Sequence, residues 1–386
     1  MYGLPLLLTG AALSAGAAAA DSTSYLKVMA DSYIRRGVPE GYHYGEATLY
    51  TGLETTLTQT KNESIKSWYK NQIDTGVLGE DGNLIDWNLT YYSLDDYRIG
   101  NNLIWWHEQT GEEKYAAAAK VIREQLNRHP RNAGGGFWHR QPNYPNQMWL
   151  DGIFMADSFY SKWTSVYDPD NSTAWDDIIL QYDLIEEHTR NHTTNLLVHG
   201  YDHEKTAVWA DPVTGAAPLV WGRAVGWYYM SLLEAIETFP ESHAGHARLV
   251  NYFKTLSKGL KEADEKDGGW WLILTDPYPG AAGNYIESSA HAMFVYGLLK
   301  GIRTGLLDKS EYQSVASSSY KAMIDKFVTE NDDGTLNYIE TVQVGSLSSN
   351  GTYEYYIGVP RVINDDRAGG PFLLAAAEWE LKCNKA

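Results

Sequence analysis

The stretch RIGNNLIWWHEQ (Arg98–Gln109), followed directly by EEKYAAAAKVIREQLNR (Glu112–Arg128), decides the fold class. The first segment is apolar, aromatic and glycine-spotted nearly all round, as expected of a helix packed on both sides. The second carries charge along one face, as expected of a helix with one solvated side. The same contrast recurs along the chain. Helical periodicity runs roughly over Ser22–Arg36, His43–Leu57, Asn62–Ile73, Ser93–Gln109, Glu112–Arg128, Gln147–Ser165 and Trp175–Arg190. It continues over Trp221–Thr238, His243–Lys266, Asn284–Thr304, Ser310–Phe327 and Gly370–Lys382. Strand signals are short, at Leu196–Val198, Trp270–Leu274 and Asn337–Val342.

Strict alternation of outer and inner helices through mostly short connections predicts an all-α fold, a six-hairpin (α/α) barrel in which one ring of helices surrounds another. If each hairpin repeats the same sense, the inner helices are parallel and their amino ends meet at one mouth. Asp95, Asp96, Asp151, Trp221, Arg223 and Glu287 all stand near the start of an inner segment. Converging helix amino ends suit a carboxylate ligand. The connections Asn191–Val220 and Thr329–Gly369 are long enough to wall such a pocket.

Composition narrows the function. The formal charge of −18, with 31 dispersed Lys and Arg, argues against a nucleic-acid surface. The 14 Trp and 28 Tyr of an acidic chain suggest carbohydrate, whose faces stack on rings. Tyr2–Ala20 reads as a cleavable secretory signal, leaving residues 21–386 as a single catalytic domain outside the cell, with no membrane partner. Five sequons, at Asn62, Asn88, Asn171, Asn191 and Asn350, agree with secretion and glycosylation. The only cysteine is Cys383, so no disulfide framework or Cys/His zinc site is expected. His199 and His203 are spaced for a metal only if they lie on a helix, which their turn context opposes. Asp168–Thr173 begins like a calcium loop, but Ile179 stands where the bidentate Glu belongs. No metal and no cofactor are expected.

Asp151, a lone carboxylate near the start of a buried aromatic helix, is either a cap or a general acid. Two acids in one pocket cannot both ionise freely, so Asp95 and Asp151 form a candidate pair. Burial is expected to push Asp151 toward its protonated form. Asp96 reads better as a cap. Arg223, the only cation in VWGRAVGW, suits a ligand carboxylate or a buried ion pair with Glu287. His139 and His199, in aromatic loops, could donate to sugar oxygens.

FWHRQPNYPNQMWLDGIFMADSFY (Phe137–Tyr160), VWGRAVGWYYMSLLEAIE (Val220–Glu237), NYIESSAHAMFVYGLLKGI (Asn284–Ile302) and YYIGVPRVINDDRAGGPFLLAAAE (Tyr355–Glu378) resemble glycoside hydrolase family 105, the unsaturated rhamnogalacturonyl hydrolases. The resemblance runs in order from about Tyr33 to the carboxyl end. It implies the six-hairpin barrel, no cofactor, and an oligosaccharide substrate bearing a 4,5-unsaturated uronic acid at its non-reducing end. By motif, Asp151 matches the general acid and Asp95 the assisting carboxylate. His139, His199, Trp221 and Arg223 match residues that hold the uronate, and Arg140 stands where the family often has Lys. Ala224 and Val225 replace the Gly and Asn of many members. The implied reaction is protonation of carbon 4 and addition of water at carbon 5. Two alternatives remain open: an unsaturated glucuronyl hydrolase, and a carbohydrate-binding protein without activity on the same barrel.

Overall fold

The computed structural model describes residues 24–265 and 268–383. The signal-peptide expectation falls outside the described residues. Within them the chain winds as α1 (Tyr25–Arg36), α2 (Tyr44–Thr60), α3 (Glu63–Asn71), α4 (Ile99–Thr110), α5 (Glu113–Leu126), α6 (Leu150–Gly152) and α7 (Ser158–Tyr167). It continues through α8 (Ser172–Thr189), α9 (Gly222–Thr238), α10 (Ala244–Glu262), α11 (Ser288–Arg303), α12 (Lys309–Phe327), α13 (Tyr353–Gly358) and α14 (Asp366–Cys383). Four two-stranded antiparallel ladders punctuate the loops: β1 (Tyr92–Ser93) with β2 (Arg140–Gln141), β3 (Gln147–Trp149) with β4 (Gly200–Asp202), β5 (Val328–Glu330) with β6 (Leu336–Tyr338), and β7 (Thr341–Val342) with β8 (Arg361–Val362).

The ring closes. α2 packs on α4, α4 on α7, the α6–α7 segment on α9, α9 on α11, α11 on α14, and α14 back on α2. Outside them, α3, α5, α8, α10, α12 and α1 pack respectively on α2, α4, α7, α9, α11 and α14. This is the six-hairpin (α/α) barrel that the alternation of inner and outer helices predicts. Inner helices are buried nearly all round: every residue of α9 from Gly222 to Leu233 is buried, whereas α10 shows its apolar stripe to the barrel and its lysines to solvent.

The sixth expected helix, Gln147–Ser165, is not continuous. Gln147–Trp149 instead join the ladder with Gly200–Asp202, and the helix starts at Leu150, whose N–H donates to the His199 carbonyl at 3.0 Å. A π-helical turn over Ile153–Asp157 follows Asp151. Local ladder hydrogen bonds outcompete helix propensity here, and they pin both the Asp151 and the His199 segments to one another. The strand expected at Leu196–Val198 is displaced to Gly200–Asp202, and Trp270–Leu274 makes only isolated bridges, Trp271 to Ile286 and Ile273 to Trp221. Asn337–Val342 divides in two at Glu340, whose φ is 63°. The two long loops do form one wall: Trp149, Trp209, Ala217 and Leu347 make a small apolar cluster, with Trp209 Nε1 donating to the Leu347 carbonyl at 2.8 Å. Among the described residues no helix is long and apolar enough to cross a membrane.

Candidate active site

Asp151 lies in the first turn of α6, at the mouth of the barrel. Its Oδ2 is 3.0 Å from His199 Nε2, and His199 Nδ1 is 2.6 Å from the Tyr356 hydroxyl. With that hydroxyl donating to Nδ1, the ring hydrogen sits on Nε2 and points at the carboxylate. His199 is fully buried and Tyr356 nearly so, between the rings of Trp149 and Trp221. Burial raises the Asp151 pKa, but His199, by charge and by hydrogen bond, and His139 outweigh it, so the group is held below the ordinary carboxylate value. This reverses the expectation that burial would win. Sequence periodicity showed the aromatic surroundings and not the imidazole placed against the acid.

Asp95 sits in the 3-10 turn Leu94–Arg98. It pairs with Arg140 Nη2, and its Oδ1 is 3.7 Å from His139 Nε2. His139 stacks on Trp149 at 4.0 Å between centroids and feels the charges of both Asp95 and Asp151. Burial lowers its pKa. The two acids therefore share a site with a histidine set between them. It is Asp96, half-buried beside Asp95, whose pKa rises, to about 6, by burial and then by the Asp95 charge. Gly152 makes room for this arrangement: a Cβ there would lie 2.7 Å from Leu94 Cδ1 and 3.3 Å from His139 Nδ1.

Arg223 is 2% exposed and committed to the protein. Its Nε donates to Ser289 Oγ at 2.8 Å, Nη1 to the Gln343 carbonyl at 3.1 Å, and Nη2 to the Val342 carbonyl, with Glu287 at 3.6 Å. Of the two roles weighed for Arg223, the structure displays the Glu287 pairing. Glu287 is itself buried as the cap of α11, accepting from the N–H groups of Ser289, Ala290 and Val342. Trp221 is buried at the start of α9 with its Nε1 unpaired, and Gly345 of the loop lies against its indole. Ala224 and Val225 are fully buried in α9.

Two clefts flank this centre and share His43. One, of about 380 Å³, is lined by Tyr42, Trp87, Tyr91, Asp96 and Arg140. The other, of about 530 Å³, is lined by Tyr44, Glu46, Gln343, Asp366 and Arg367. Tyr44, half-buried there, senses the charges of both Asp95 and Arg223. The sequence reading assigned no role to His43, Tyr44, Tyr356, Asp366 or Arg367, although each was within reach: His43 and Tyr44 open an inner helix, as Asp366 and Arg367 do, and Tyr356 lies in a quoted motif.

Asn88, Asn191 and Asn350 are exposed, while Asn62 and Asn171 are partly exposed caps of α3 and α8. Asp168 accepts from Asn171 Nδ2 at 2.7 Å, in the turn before α8. Among the described residues no three His, Cys, Asp or Glu converge as metal ligands.

A double ring of helices with acids, histidines and tryptophans gathered at one mouth defines the class: an (α/α)-barrel glycoside hydrolase. The model of Glycosyl Hydrolase Family 88 matches residues 24–382, so the chain belongs to that family. A solved family 105 glycoside hydrolase from C. acetobutylicum ATCC 824 superposes with a TM-score of 0.88 at 34% identity, covering 93% of this chain and 100% of that one, in agreement with the family 105 motifs. An unsaturated 3S-rhamnoglycuronyl hydrolase from Alteromonas sp. (strain LOR) is 25% identical over 313 residues, 77% of this chain and 70% of that protein. The unsaturated rhamnogalacturonyl hydrolase YesR of Bacillus subtilis (strain 168) is 24% identical over 288 residues, 73% of each chain.

Proposed function

We propose that this glycoside hydrolase removes a 4,5-unsaturated uronic acid from the non-reducing end of an oligosaccharide, in the first instance one derived from rhamnogalacturonan, by hydrating the double bond. The observation that carries the reading is the buried chain Tyr356–His199–Asp151 at the barrel mouth. Protonated Asp151 accepts the His199 Nε2–H on one oxygen and carries the transferable proton on the other. Asp151 delivers that proton to carbon 4, its carboxylate then takes a proton from a water that adds at carbon 5, and the hemiketal so formed opens. The glycosidic oxygen leaves with the partner sugar, and one water is consumed. Asp95, tied to Arg140 and His139, assists. His139, Arg140, His199 and Trp221 hold the uronate. Arg140, at 25% side-chain exposure and lining a cleft, is the guanidinium open to a ligand carboxylate, while Arg223 braces the wall behind Trp221.

A 4,5-double bond erases the carbon 4 stereocentre that separates galacturonate from glucuronate. Preference between rhamnogalacturonan-derived and glucuronate-derived substrates therefore resides in the leaving sugar and its linkage, read in the two clefts. Val225 is buried in α9 and lines neither cleft. The test is turnover in heavy water with mass spectrometry of the released uronate, alongside loss of the ultraviolet absorbance of unsaturated disaccharides of both kinds. Hydration places a solvent deuteron on carbon 4, and an unlabelled first-turnover product overturns the mechanism.

The leader and the sequons support secretion, with cleavage near Ala20 and glycans on the five Asn side chains. Secreted material beginning at Met1, or unchanged in mobility after deglycosylation, would refute the respective part.

A further inference from the structure

The larger of the two clefts carries two carboxylates from neighbouring helix starts: Glu46, in the first turn of α2, and Asp366, the first residue of α14. The starts touch, since a Cβ on Gly45 would lie 3.6 Å from Arg367 Cγ and 3.8 Å from Asp366 Cβ. The cations of the same lining are engaged. Arg367 donates to both oxygens of Asp365, from Nε at 2.7 Å and from Nη2, and its Nη1 reaches the Tyr44 hydroxyl at 3.4 Å. Arg36, at the exposed rim, donates from Nη1 to the Leu336 carbonyl at 2.7 Å.

Glu46 and Asp366 are not engaged. Among the described residues no other residue donates a hydrogen bond to either carboxylate, although Glu46 is only 9% exposed and has just its own N–H beside it. The oxygens of neither are sealed inside the protein, so they open into the cleft that both residues line. Burial, and then the Glu46 and Asp365 charges, raise the Asp366 carboxyl to about 7. Burial raises Glu46 as well, against its own N–H, His43 and Arg367. Near neutral pH the pair therefore offers both an acceptor and an acidic hydrogen, the complement of a sugar hydroxyl, which donates and accepts. An apolar guest would strand the two acids. A divalent ion would meet two arginines, and among the described residues no three His, Cys, Asp or Glu converge as its ligands. Arg140, given to the uronate in the proposed reaction, lines the smaller cleft, and His43, common to both, stands where the next sugar would follow.

We propose that Glu46 and Asp366 determine specificity for the leaving sugar: they bind the hydroxyls of a neutral sugar and reject one bearing a sulfate or carboxylate, whose charge would face theirs. The inference rests on the hydration reading and adds to it which partner sugar is released. The test is kcat/KM on two unsaturated uronyl disaccharides, one ending in L-rhamnose and one in the same rhamnose bearing a sulfate, with carbon 4 labelling in heavy water. It is run on the wild type, Glu46→Gln and Asp366→Asn. The wild type should favour the neutral disaccharide by about tenfold or more. Each amide variant should lose about tenfold on the neutral substrate, chiefly through KM, and gain on the sulfated one, with carbon 4 still labelled. A purely structural role would lower both substrates alike. Where one variant folds poorly, the other serves. Equal turnover of both disaccharides by the wild type, or a preference unchanged in the folded variants, overturns the proposal and leaves the reaction standing. No turnover of either disaccharide by the wild type overturns the hydration reading, and the proposal with it.

Discussion

The mouth and the base of the barrel each bury a carboxylate, and the two respond in opposite directions. Asp151 at the mouth is held below its ordinary pKa because His199 and His139 face it, whereas Glu54 at the base rises to about 7 because its partners, Asn102 and Tyr69, are neutral. Burial is common to both, so the partner decides. Arg98 separates the two regions: its guanidinium lies 3.8 Å from the Phe154 ring centroid and donates to the Phe154 carbonyl at 3.4 Å, in the π turn that follows Asp151. Arg98 does lower Glu54, but it is paired with Glu234, whose charge raises Glu54, and burial prevails.

The comparison can be broken most sharply at Asp151. Asp151→Asn should lower kcat by roughly a hundred- to ten-thousand-fold while KM moves little, because the amide keeps the shape and loses the acidic proton; steady-state kinetics on an unsaturated disaccharide measure this. Arg98→Leu at the base should destabilise the fold by about 3–5 kcal/mol in denaturant titration, since it leaves Glu234 without its buried partner. His199→Gln should lower kcat by about ten- to a hundredfold, and the limb of the pH–rate profile governed by Asp151 should move to higher pH, because the group that depresses its pKa has gone; an unmoved limb would mean another group governs it.

Glu54→Gln has the smallest expected effect. The Glu54 pKa is raised on folding from an unfolded value of about 4.3 to about 7. Its stabilising contribution is complete below the unfolded value and is lost as pH rises through about 7. The wild-type chain should therefore lose stability between those limits, and Glu54→Gln should flatten that decline, read as the difference between melting curves across the range.

The barrel was legible because inner and outer helices differ in the one property a sequence displays directly, the pattern of apolar residues around a helix. RIGNNLIWWHEQ and EEKYAAAAKVIREQLNR differ in that pattern before any coordinates are known. The position of Asp151 at a helix start was legible for the same reason. Its electrostatics were not, since His199 lies 48 residues away and reaches it only through the ladder joining Met148 to Tyr201. Arg223 stood open between two roles for a related reason: its acceptors include the carbonyls of Val342 and Gln343, and no side-chain pattern announces a backbone acceptor.

The seam between α2 and α14 sets the order in which this molecule can be completed. Gly52 and Gly370 let the two helices meet so closely that a Cβ on Gly52 would lie 2.8 Å from the Gly370 carbonyl oxygen. The contact joins the first inner helix to the last, so five inner helices leave the ribosome before the sixth can shut the ring. Until then the growing chain is an open curved stack with apolar faces at both ends, the kind of intermediate that holds chaperones and invites pairing with a second copy. A bulkier residue at this seam would do its damage during synthesis, as lost soluble yield, before any effect on turnover could be measured.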